Sequence, residues 1–228
     1  MTTDIVSVVL KKSSFQGVRP AEIAQQLAGL RKAQKKLPAW FACPGIYYPP
    51  ALNLEQSSSE KTGLYKASLA GGKTLLDLTG GFGVDSYFFA RRFETVHYCE
   101  VNPELAEIAS HNFDRLGAGN IAVHAQSGLE VLAELRAKGV RPDWIYADPS
   151  RRDAGGGRVI RLEDYVPDIP SNLDTLLAAT DNLLVKTSPM LDLAAGSRSL
   201  QAVREIHVVA VANEVKELLW WMQPGFRG

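Results

Sequence analysis

The chain has 228 residues, and its 25 Lys and Arg balance 25 Asp and Glu, so the sequence as a whole shows no bias toward binding polyanions. Hydrophobic residues make up 46% and charged residues 22%, as in a folded globular protein, and no apolar run approaches the ~18 residues of a membrane span. Two cysteines, Cys43 and Cys99, are too few for a disulfide framework or a cysteine-rich metal site, and they favour a reducing, cytoplasmic setting.

The first part of the chain, residues 1–54, is predicted to be a small helical and irregular segment ahead of a core domain over 55–228. Apolar residues recur at helical spacing over 20–37, and basic residues crowd the end of this helix, where the helix dipole favours cations. The prolines of 38–50 predict an extended connector. A further helix is predicted over 57–70, because a serine followed three positions later by a glutamate forms a capping box at its start.

From residue 73 onward, short apolar runs alternate with helical stretches. The runs are rich in β-branched or aromatic residues and almost continuously apolar, as are strands buried on both faces of a parallel sheet. Predicted strands cover 74–79, 95–100, 121–125, 143–148, 182–188 and 205–212. Predicted helices cover 84–92, 103–116, 127–138 and 171–180. This alternation predicts a doubly wound, mostly parallel, Rossmann-like α/β domain.

The segment LLDLTGGFGVDS (75–86) indicates a strand, a glycine-rich turn and then a helix. Gly80, Gly81 and Gly83 have no Cβ, so the backbone can turn sharply and approach a ligand closely. Such a ligand would lie at the carboxyl edge of the sheet, beside a helix N-terminus. About 20 residues further on, Glu100 ends the second strand, where an acid can accept hydrogen bonds from ribose hydroxyls.

The acids around this turn distinguish between two nucleoside cofactors. A dinucleotide fingerprint requires G-x-G-x-x-G, but the sequence that starts at Gly81 has Ser86 in place of the third glycine. Asp77 at the strand end and Asp85 at the helix start would repel a pyrophosphate, whereas they match the sulfonium and ammonium groups of S-adenosylmethionine (SAM). The sequence therefore favours SAM over a nicotinamide dinucleotide.

Three motifs together resemble a known family. Asp77-x-Thr79-Gly80-Gly81-x-Gly83-x-Asp85, Glu100 and Asp148-Pro149 resemble motifs I, II and IV of class I SAM-dependent methyltransferases, and this form of motif I is similar to that of several RNA-modifying members. Residues 46–67, motif I and DPSRRD (148–153) more closely resemble a bacterial group with a helical N-terminal segment, a methyltransferase core and a C-terminal THUMP-like domain. The resemblance covers about residues 35 to 220. It implies a Rossmann-like seven-stranded sheet, SAM as the cofactor, and RNA (a tRNA or rRNA base) as the substrate.

The resemblance also implies which residues hold the cofactor. The glycine turn and its acids would border the amino-acid part of SAM, Glu100 would hold the ribose, and Val101 and Asn102 would flank the adenine. Many members place an acid after the third strand to bind the adenine amine. This chain has Gln126 and Ser127 there, and an amide can still accept from that amine. The candidate cofactor-binding residues are Asp77, Thr79, Gly80, Gly81, Phe82, Gly83, Asp85, Glu100, Val101, Asn102, Gln126 and Ser127.

The fourth predicted strand ends in Asp148, Pro149, Ser150 and Arg151, across the crevice from the glycine turn. Relatives that methylate amines carry D/N-P-P-aromatic here, where the acid or amide holds the substrate amine and the ring stacks on the base. This chain keeps Asp-Pro but has Ser150 and Arg151 in place of the second proline and the aromatic residue. We interpret these four residues as the catalytic set. Asp148 would orient the nucleophile or take its proton, and Arg151 would stack on a base.

A basic, glycine-rich loop over 151–161 follows this strand. Its arginines are candidates for phosphate contacts, or they pair with Asp153, Glu163 and Asp164 and order the loop. Methylation at pyrimidine C5 is disfavoured, because it needs a cysteine nucleophile in the crevice and no cysteine follows the fourth or fifth strand. No metal site is predicted.

The sequence ends in NEVKELLWWM (213–222), which we predict to be a helix, followed by QPGFRG. Only six strands are then accounted for. The seventh strand and a THUMP-like domain are therefore expected to be missing, which would leave Trp220 and Trp221 exposed or packed against a second chain.

The leading hypothesis from these patterns is an enzyme, a SAM-dependent methyltransferase that acts on RNA. The balanced net charge keeps methylation of a small molecule or a protein open. Ser150-Arg151 and the incomplete sheet keep a non-catalytic SAM- or RNA-binding module open. No membrane partner is predicted, and the sequence leaves the oligomeric state open.

Overall fold

The computed structural model describes residues 17–151 and 162–227. In this part of the chain no helix is long and apolar enough to cross a membrane. The helices ahead of the sheet are α1 (Pro20–Lys36), α2 (Pro38–Ala42), α3 (Ala51–Gln56) and α4 (Glu60–Leu69). The strands are β1 (Gly72–Asp77), β2 (Phe93–Cys99), β3 (Ile121–His124), β4 (Trp144–Ala147), β5 (Ser150–Arg151), β6 (Tyr165–Val166), β7 (Asn182–Thr187), β8 (Val203–Val211) and β9 (Glu214–Met222). The helices between the strands are α5 (Val84–Phe89), α6 (Pro103–Arg115), α7 (Gly128–Ala137), α8 (Ile169–Ala179) and α9 (Leu193–Ser199).

A seven-stranded sheet forms the centre of the molecule, with strand order β3-β2-β1-β4-β7-β9-β8. The pairs among β3, β2, β1, β4 and β7 are parallel, and β9 is antiparallel to both of its neighbours. The strand order reverses between β1 and β4, so the carboxyl ends of these two strands border the crevice where ligands bind in open α/β sheets. The predicted Rossmann-like α/β fold is confirmed.

The prediction that the seventh strand is missing is wrong. Residues 213–222 form no helix, because β9 occupies Glu214–Met222 and fills the slot between β7 and β8. A two-residue turn joins β8 to β9, with Ala212 at φ 54° and Asn213 at φ 60°. Positive φ at both central residues is the geometry of the type I′ turn, which tightly links antiparallel strands. Hydrogen bonding on both edges of β9 therefore overrides its local helical pattern.

The expected exposure of the two tryptophans is also wrong. Trp220 is fully buried, its indole Nε1 donates to Thr187 Oγ1 at 2.9 Å, and its ring packs over Gly196. Trp221 stacks on Trp144 with ring centroids 5.2 Å apart. Both indoles are thus part of the packing around β9.

The N-terminal helices pack on the same core as the sheet. Trp40 and Leu54 belong to one buried cluster with Leu75, Phe88 and Tyr146. The predicted extended connector over 38–50 is wrong at its start, where α2 forms. A proline is acceptable there, because the first turn of a helix leaves its backbone N–H groups unpaired in any case.

Two predicted helix starts are displaced. The N-cap of α4 is Ser59, two residues after the serine predicted, and its Oγ accepts from Thr62 N. The cap of α8 is Asp168, whose Oδ1 accepts from Ser171 N, so this helix begins earlier than the predicted residue 171. The predicted start of the helix over 103–116 is confirmed, and Asn102 caps it by accepting from the N–H groups of Glu104 and Leu105.

Candidate active site

A cleft of about 950 Å³ opens at the carboxyl ends of β1, β2, β4 and β7. Acidic and small residues line its inner wall, and the N-terminal segment contributes to its rim. The sequence-predicted residues that line it are Asp77, Thr79, Gly80, Gly81, Phe82, Gly83, Asp85, Glu100, Val101, Asn102, Ser127, Asp148, Pro149 and Ser150. The two predicted clusters, from the glycine turn and from the end of β4, therefore lie in one cavity.

The glycine turn is held against β2 by close backbone packing. A Cβ on Gly80 would lie 2.1 Å from the Tyr98 ring, and the Tyr98 hydroxyl donates to the carbonyl of Gly81 at 2.5 Å. Gly83 adopts φ 84° at the N-cap of α5, a conformation that favours glycine. These contacts fix the course of the turn along the floor of the cleft.

Glu100 is oriented by two backbone donors. Its Oε2 accepts from Gly81 N at 3.0 Å, and its Oε1 accepts from Asn102 N at 2.8 Å. The carboxylate thereby bridges the glycine turn and the start of α6. Its remaining lone pairs face the cleft that it lines, where hydroxyl donors of a ligand can reach them.

Asp77 is a buried carboxyl group with no cation within salt-bridge distance among the described residues. Its Oδ1 accepts from Thr79 N at 3.0 Å and its Oδ2 from Ser86 Oγ at 2.6 Å. Burial raises the pKa of Asp77 to about 7, although both hydrogen bonds favour the ionised form. A cation brought into the cleft would shift this carboxyl toward its charged state.

A buried ion cluster lies behind the cleft wall. Lys66, which is fully buried on α4, donates to Glu217 Oε1 at 2.8 Å and to Ser58 Oγ at 2.9 Å. Its Nζ also lies 3.2 Å from Asp85 Oδ1. The cluster ties α4 to β9 and to the start of α5.

Asp85 also receives two neutral donors. Ser58 Oγ and the Tyr146 hydroxyl each donate to its Oδ2 at 2.8 Å. Burial alone would raise the pKa of Asp85, but Lys66 and Lys186 together with the two hydroxyl donors outweigh it, and the net effect lowers that pKa. Burial and the Asp85 charge raise the pKa of Tyr146 well above its usual value, so its hydroxyl remains a donor.

Asp148 continues the cluster into the cleft. Its backbone N donates to Thr79 Oγ1 at 2.6 Å, which joins the ends of β1 and β4. Its Oδ2 lies 2.5 Å from Lys186 Nζ, and Lys186 Nζ lies 4.0 Å from Glu217 Oε2. Burial lowers the pKa of Lys186, but the carboxylates of Asp148, Asp85 and Glu217 outweigh burial and raise it, so the side chain is an ammonium.

The cluster carries a net negative charge. Among the residues that the structure describes, three carboxylates (Asp85, Asp148 and Glu217) face two ammonium groups (Lys66 and Lys186), which leaves one negative charge. Asp77 and Glu100 add further carboxyl groups to the same cleft. The arrangement suits a ligand that is cationic where it meets the ends of β1 and β4.

Some predicted residues lie elsewhere. The Gln126 amide donates to Glu134 Oε1 at 3.0 Å, and Gln126 is absent from the cleft lining, so the structure does not place it with the other candidates. The Asn102 side chain caps α6. Ser150 and Arg151 pair with Val166 and Tyr165 as a two-stranded ribbon, while the basic loop after Arg151 lies outside the described residues up to 161.

Other cleft residues were not among the sequence candidates. Pairing of β6 with β5 brings Tyr165, Val166 and Pro167 to the cleft. No local sequence pattern predicts this pairing. Ser58 also lines the cleft, directly after the serine that was predicted to cap the next helix. Glu217 was assigned to a helix, so its approach to the lysines could not be foreseen.

Comparisons with known proteins show what the chain and its fold are similar to. A crystal structure from Porphyromonas gingivalis W83, described as a candidate methyltransferase, is 33% identical with a TM-score of 0.85 and covers 98% of this chain and 55% of that one. A protein of Lactiplantibacillus plantarum named as an uncharacterized RNA methyltransferase is 32% identical over 87 residues, which is 38% of this chain and 19% of that protein. A protein of the same description from Listeria monocytogenes is 31% identical over 117 residues, 48% of this chain and 26% of that protein. No family model matches the chain.

The P. gingivalis similarity extends over almost the whole chain, including the N-terminal helices and β9. This chain has the class I SAM-dependent methyltransferase fold. It spans about half of the P. gingivalis chain, and its matches span about a quarter or less of the two curated relatives. The sequence suggested three motifs: the glycine turn after β1, the acid after β2 and the Asp-Pro after β4. All three border one cleft in the structure.

Proposed function

We propose that this chain is the catalytic domain of a SAM-dependent methyltransferase that acts on RNA. The observation that carries the proposal is the excess of carboxylates around the glycine turn and the end of β4. A cationic sulfonium nucleoside offsets this charge, whereas the pyrophosphate of a nicotinamide dinucleotide would be repelled by it. Such a charge balance favours the SAM alternative over a dinucleotide.

The residues of the cleft fit SAM in a definite order. The turn from Thr79 to Gly83, with Asp77 and Asp85, would hold its amino-acid part. Glu100 would accept from the ribose hydroxyls, because its carboxylate is already oriented by two backbone donors. Val101 and Asn102 would flank the adenine, Ser127 would lie at its amine, and Gln126 would need a rotamer change to reach that amine.

When bound, SAM supplies an activated methyl group on a positively charged sulfur. The chain's own residues align the acceptor with that methyl group, since an in-line displacement depends mainly on positioning. Asp148 lies at the end of β4 and is one-third exposed. It is the candidate to orient the acceptor and take its proton, with Pro149 and Ser150 shaping the surrounding wall.

RNA is proposed as the substrate because the two curated relatives are named as RNA methyltransferases. By resemblance, the full-length protein would also carry a C-terminal THUMP-like domain, and the low cysteine count favours a cytoplasmic setting. The P. gingivalis protein, of which this chain matches 55%, is long enough for an additional domain.

Transfer of a labelled methyl group tests the proposed function. Full-length protein is incubated with labelled SAM and, separately, with RNA, protein and small-molecule extracts from cells that lack the gene. We expect label in the RNA fraction. Label only in protein or metabolites would support the second enzyme hypothesis, and SAM binding without any transfer would support a non-catalytic module.

We expect the affinity for SAM to depend on pH, because Asp77 titrates in the cleft. The free protein has a raised Asp77 pKa of about 7, and a bound cation favours the carboxylate. Below about pH 7, binding must therefore release a proton, and affinity should fall by up to about tenfold per pH unit, with a plateau above. Titration calorimetry from about pH 5 to about pH 8 measures this, and an Asp77→Asn variant is expected to lose the slope. A slope that persists in the variant would contradict the assignment.

A further inference from the structure

The group that lies beside the proposed proton acceptor is a cation. Lys186 Nζ contacts Asp148 Oδ2 at 2.5 Å, and Lys186 lines the cleft with a side chain that is 13% exposed. The ammonium is thus placed where a substrate nucleophile held by Asp148 would also meet it. This ammonium donates to Oδ2 of Asp148, and the proposed acceptor would bind at the other carboxylate oxygen, Oδ1.

A carboxylate in the protein interior also holds the Lys186 ammonium in place. Glu217 Oε2 lies 4.0 Å from Lys186 Nζ, and the other oxygen of Glu217 binds the fully buried Lys66. Lys186 is therefore held between a carboxylate on the cleft side and one in the interior. Such a group does not reorganise when charge develops next to it, which is the condition under which an electrostatic contact accelerates a reaction.

The positive charge of Lys186 affects an amine nucleophile and a hydroxyl nucleophile differently. An amine that attacks the methyl group through its lone pair becomes cationic, and the adjacent ammonium offsets the stabilisation that the Asp148 carboxylate would give to that charge. A hydroxyl that loses its proton during attack becomes more negative, and the same ammonium stabilises it. The end of β4 also departs from the amine-methylating pattern, since Ser150 and Arg151 replace its second proline and its aromatic residue.

We propose that the acceptor is a hydroxyl group, the ribose 2′-hydroxyl of an RNA nucleotide, and not a nitrogen of a base. The inference rests on the proposed function and narrows it to a substrate atom. The 2′-hydroxyl is the hydroxyl nucleophile that distinguishes RNA at every nucleotide. Lys186 is then a catalytic residue, because its ammonium touches the reacting oxygen.

In the proposed methyl transfer, each bond that breaks is matched by one that forms or by an electron pair that stays on sulfur. The O–H bond breaks and its proton passes to the Asp148 carboxylate, while the hydroxyl oxygen forms a bond to the methyl carbon. The methyl–sulfur bond breaks, and its electron pair stays on sulfur as a neutral thioether. Asp148 afterwards returns the proton to water.

The position of the methyl group in the product tests the inference. RNA from cells lacking the gene is labelled by the full-length protein, hydrolysed in alkali, and in parallel digested to nucleosides for mass spectrometry. Alkali cleaves next to a free 2′-hydroxyl, so we expect label in alkali-resistant dinucleotides and in ribose-methylated nucleosides. Label on a base would overturn the inference and leave the proposed function intact. A complete lack of label in RNA would overturn both.

A variant of Lys186 adds a readout that does not depend on turnover. Lys186→Met is expected to lower the rate of methyl transfer by about 10²–10³-fold, which is the usual effect of removing one preorganised group that stabilises the transition state. Its affinity for SAM, measured by calorimetry, is expected to be unchanged or tighter, because a cation is removed from beside a cationic ligand. Weaker SAM binding together with a lower melting temperature would show a structural role and overturn the catalytic assignment. The exposed Lys61→Met is the matched control.

Discussion

An Asp148→Asn protein is expected to bind SAM and to lose about 10²–10⁴-fold in the rate of methyl transfer. The amide keeps the size of the side chain and the backbone hydrogen bond to Thr79. It cannot take a proton at neutral pH, and it has no charge to attract the Lys186 ammonium. Both the proton transfer and the alignment of the acceptor are therefore lost. Single-turnover transfer with saturating SAM measures the effect directly.

The control for this variant is Asp174→Asn. Asp174 is exposed on α8 and does not line the cleft, so the same chemical change is made outside the site. We expect that control to retain the full rate. An Asp148→Asn protein that transfers methyl groups within a few-fold of the unaltered chain would remove Asp148 from the reaction centre. A variant that loses SAM affinity as well would indicate a role in holding the cofactor.

The part of the site built from one stretch of sequence was predictable. The glycine turn depends on residues that are neighbours in the chain, and its glycines are needed where the backbone passes against Tyr98 and where Gly83 adopts positive φ. Glu100 was predictable because a parallel strand after a connecting helix ends at the same edge of the sheet as its predecessor. Such local signals predicted the fold class and the place of the cleft.

The part that depends on distant contacts was not predictable. Residues 214–222 have a helical pattern by themselves, and they become β9 because a free edge exists on β7 and another on β8. Glu217 then points at Lys66, 151 positions earlier in the sequence. No spacing rule connects residues so far apart, so the ion cluster could be found only in the folded structure.

Gln126 was assigned to the adenine amine only because of its position after the third strand. Position along the chain does not determine which hydrogen-bond partner a side chain takes. The Gln126 amide donates to Glu134 within α7, and Ser127 and Gly128 line the cleft at the start of this helix. Gly128 packs so closely on Leu78 that a Cβ would lie 2.5 Å from its Cα. The start of α7 is therefore fixed by backbone packing and not by the preceding amide.

Lys66→Met is expected to lower the free energy of unfolding by about 3–5 kcal/mol, the usual cost of removing one partner from a buried ion pair. Methionine fills a similar volume, so the loss comes from charge and not from a cavity. Asp85 and Glu217 would both remain buried without the ammonium that lies 3.2 Å and 2.8 Å from them. Urea denaturation followed by circular dichroism measures the change.

Lys61 provides the matched comparison on the same helix, because it is exposed while Lys66 is fully buried. Lys61→Met is expected to change stability by less than about 0.5 kcal/mol. In Lys66→Met/Glu217→Gln one of the stranded charges is also removed, so the double variant should be more stable than the sum of the single effects predicts, by about 0.5–3 kcal/mol. If Lys66→Met unfolds at the same urea concentration as Lys61→Met, the cluster contributes nothing to stability. Its lysines and acids would then have to be explained by the chemistry of the cleft alone.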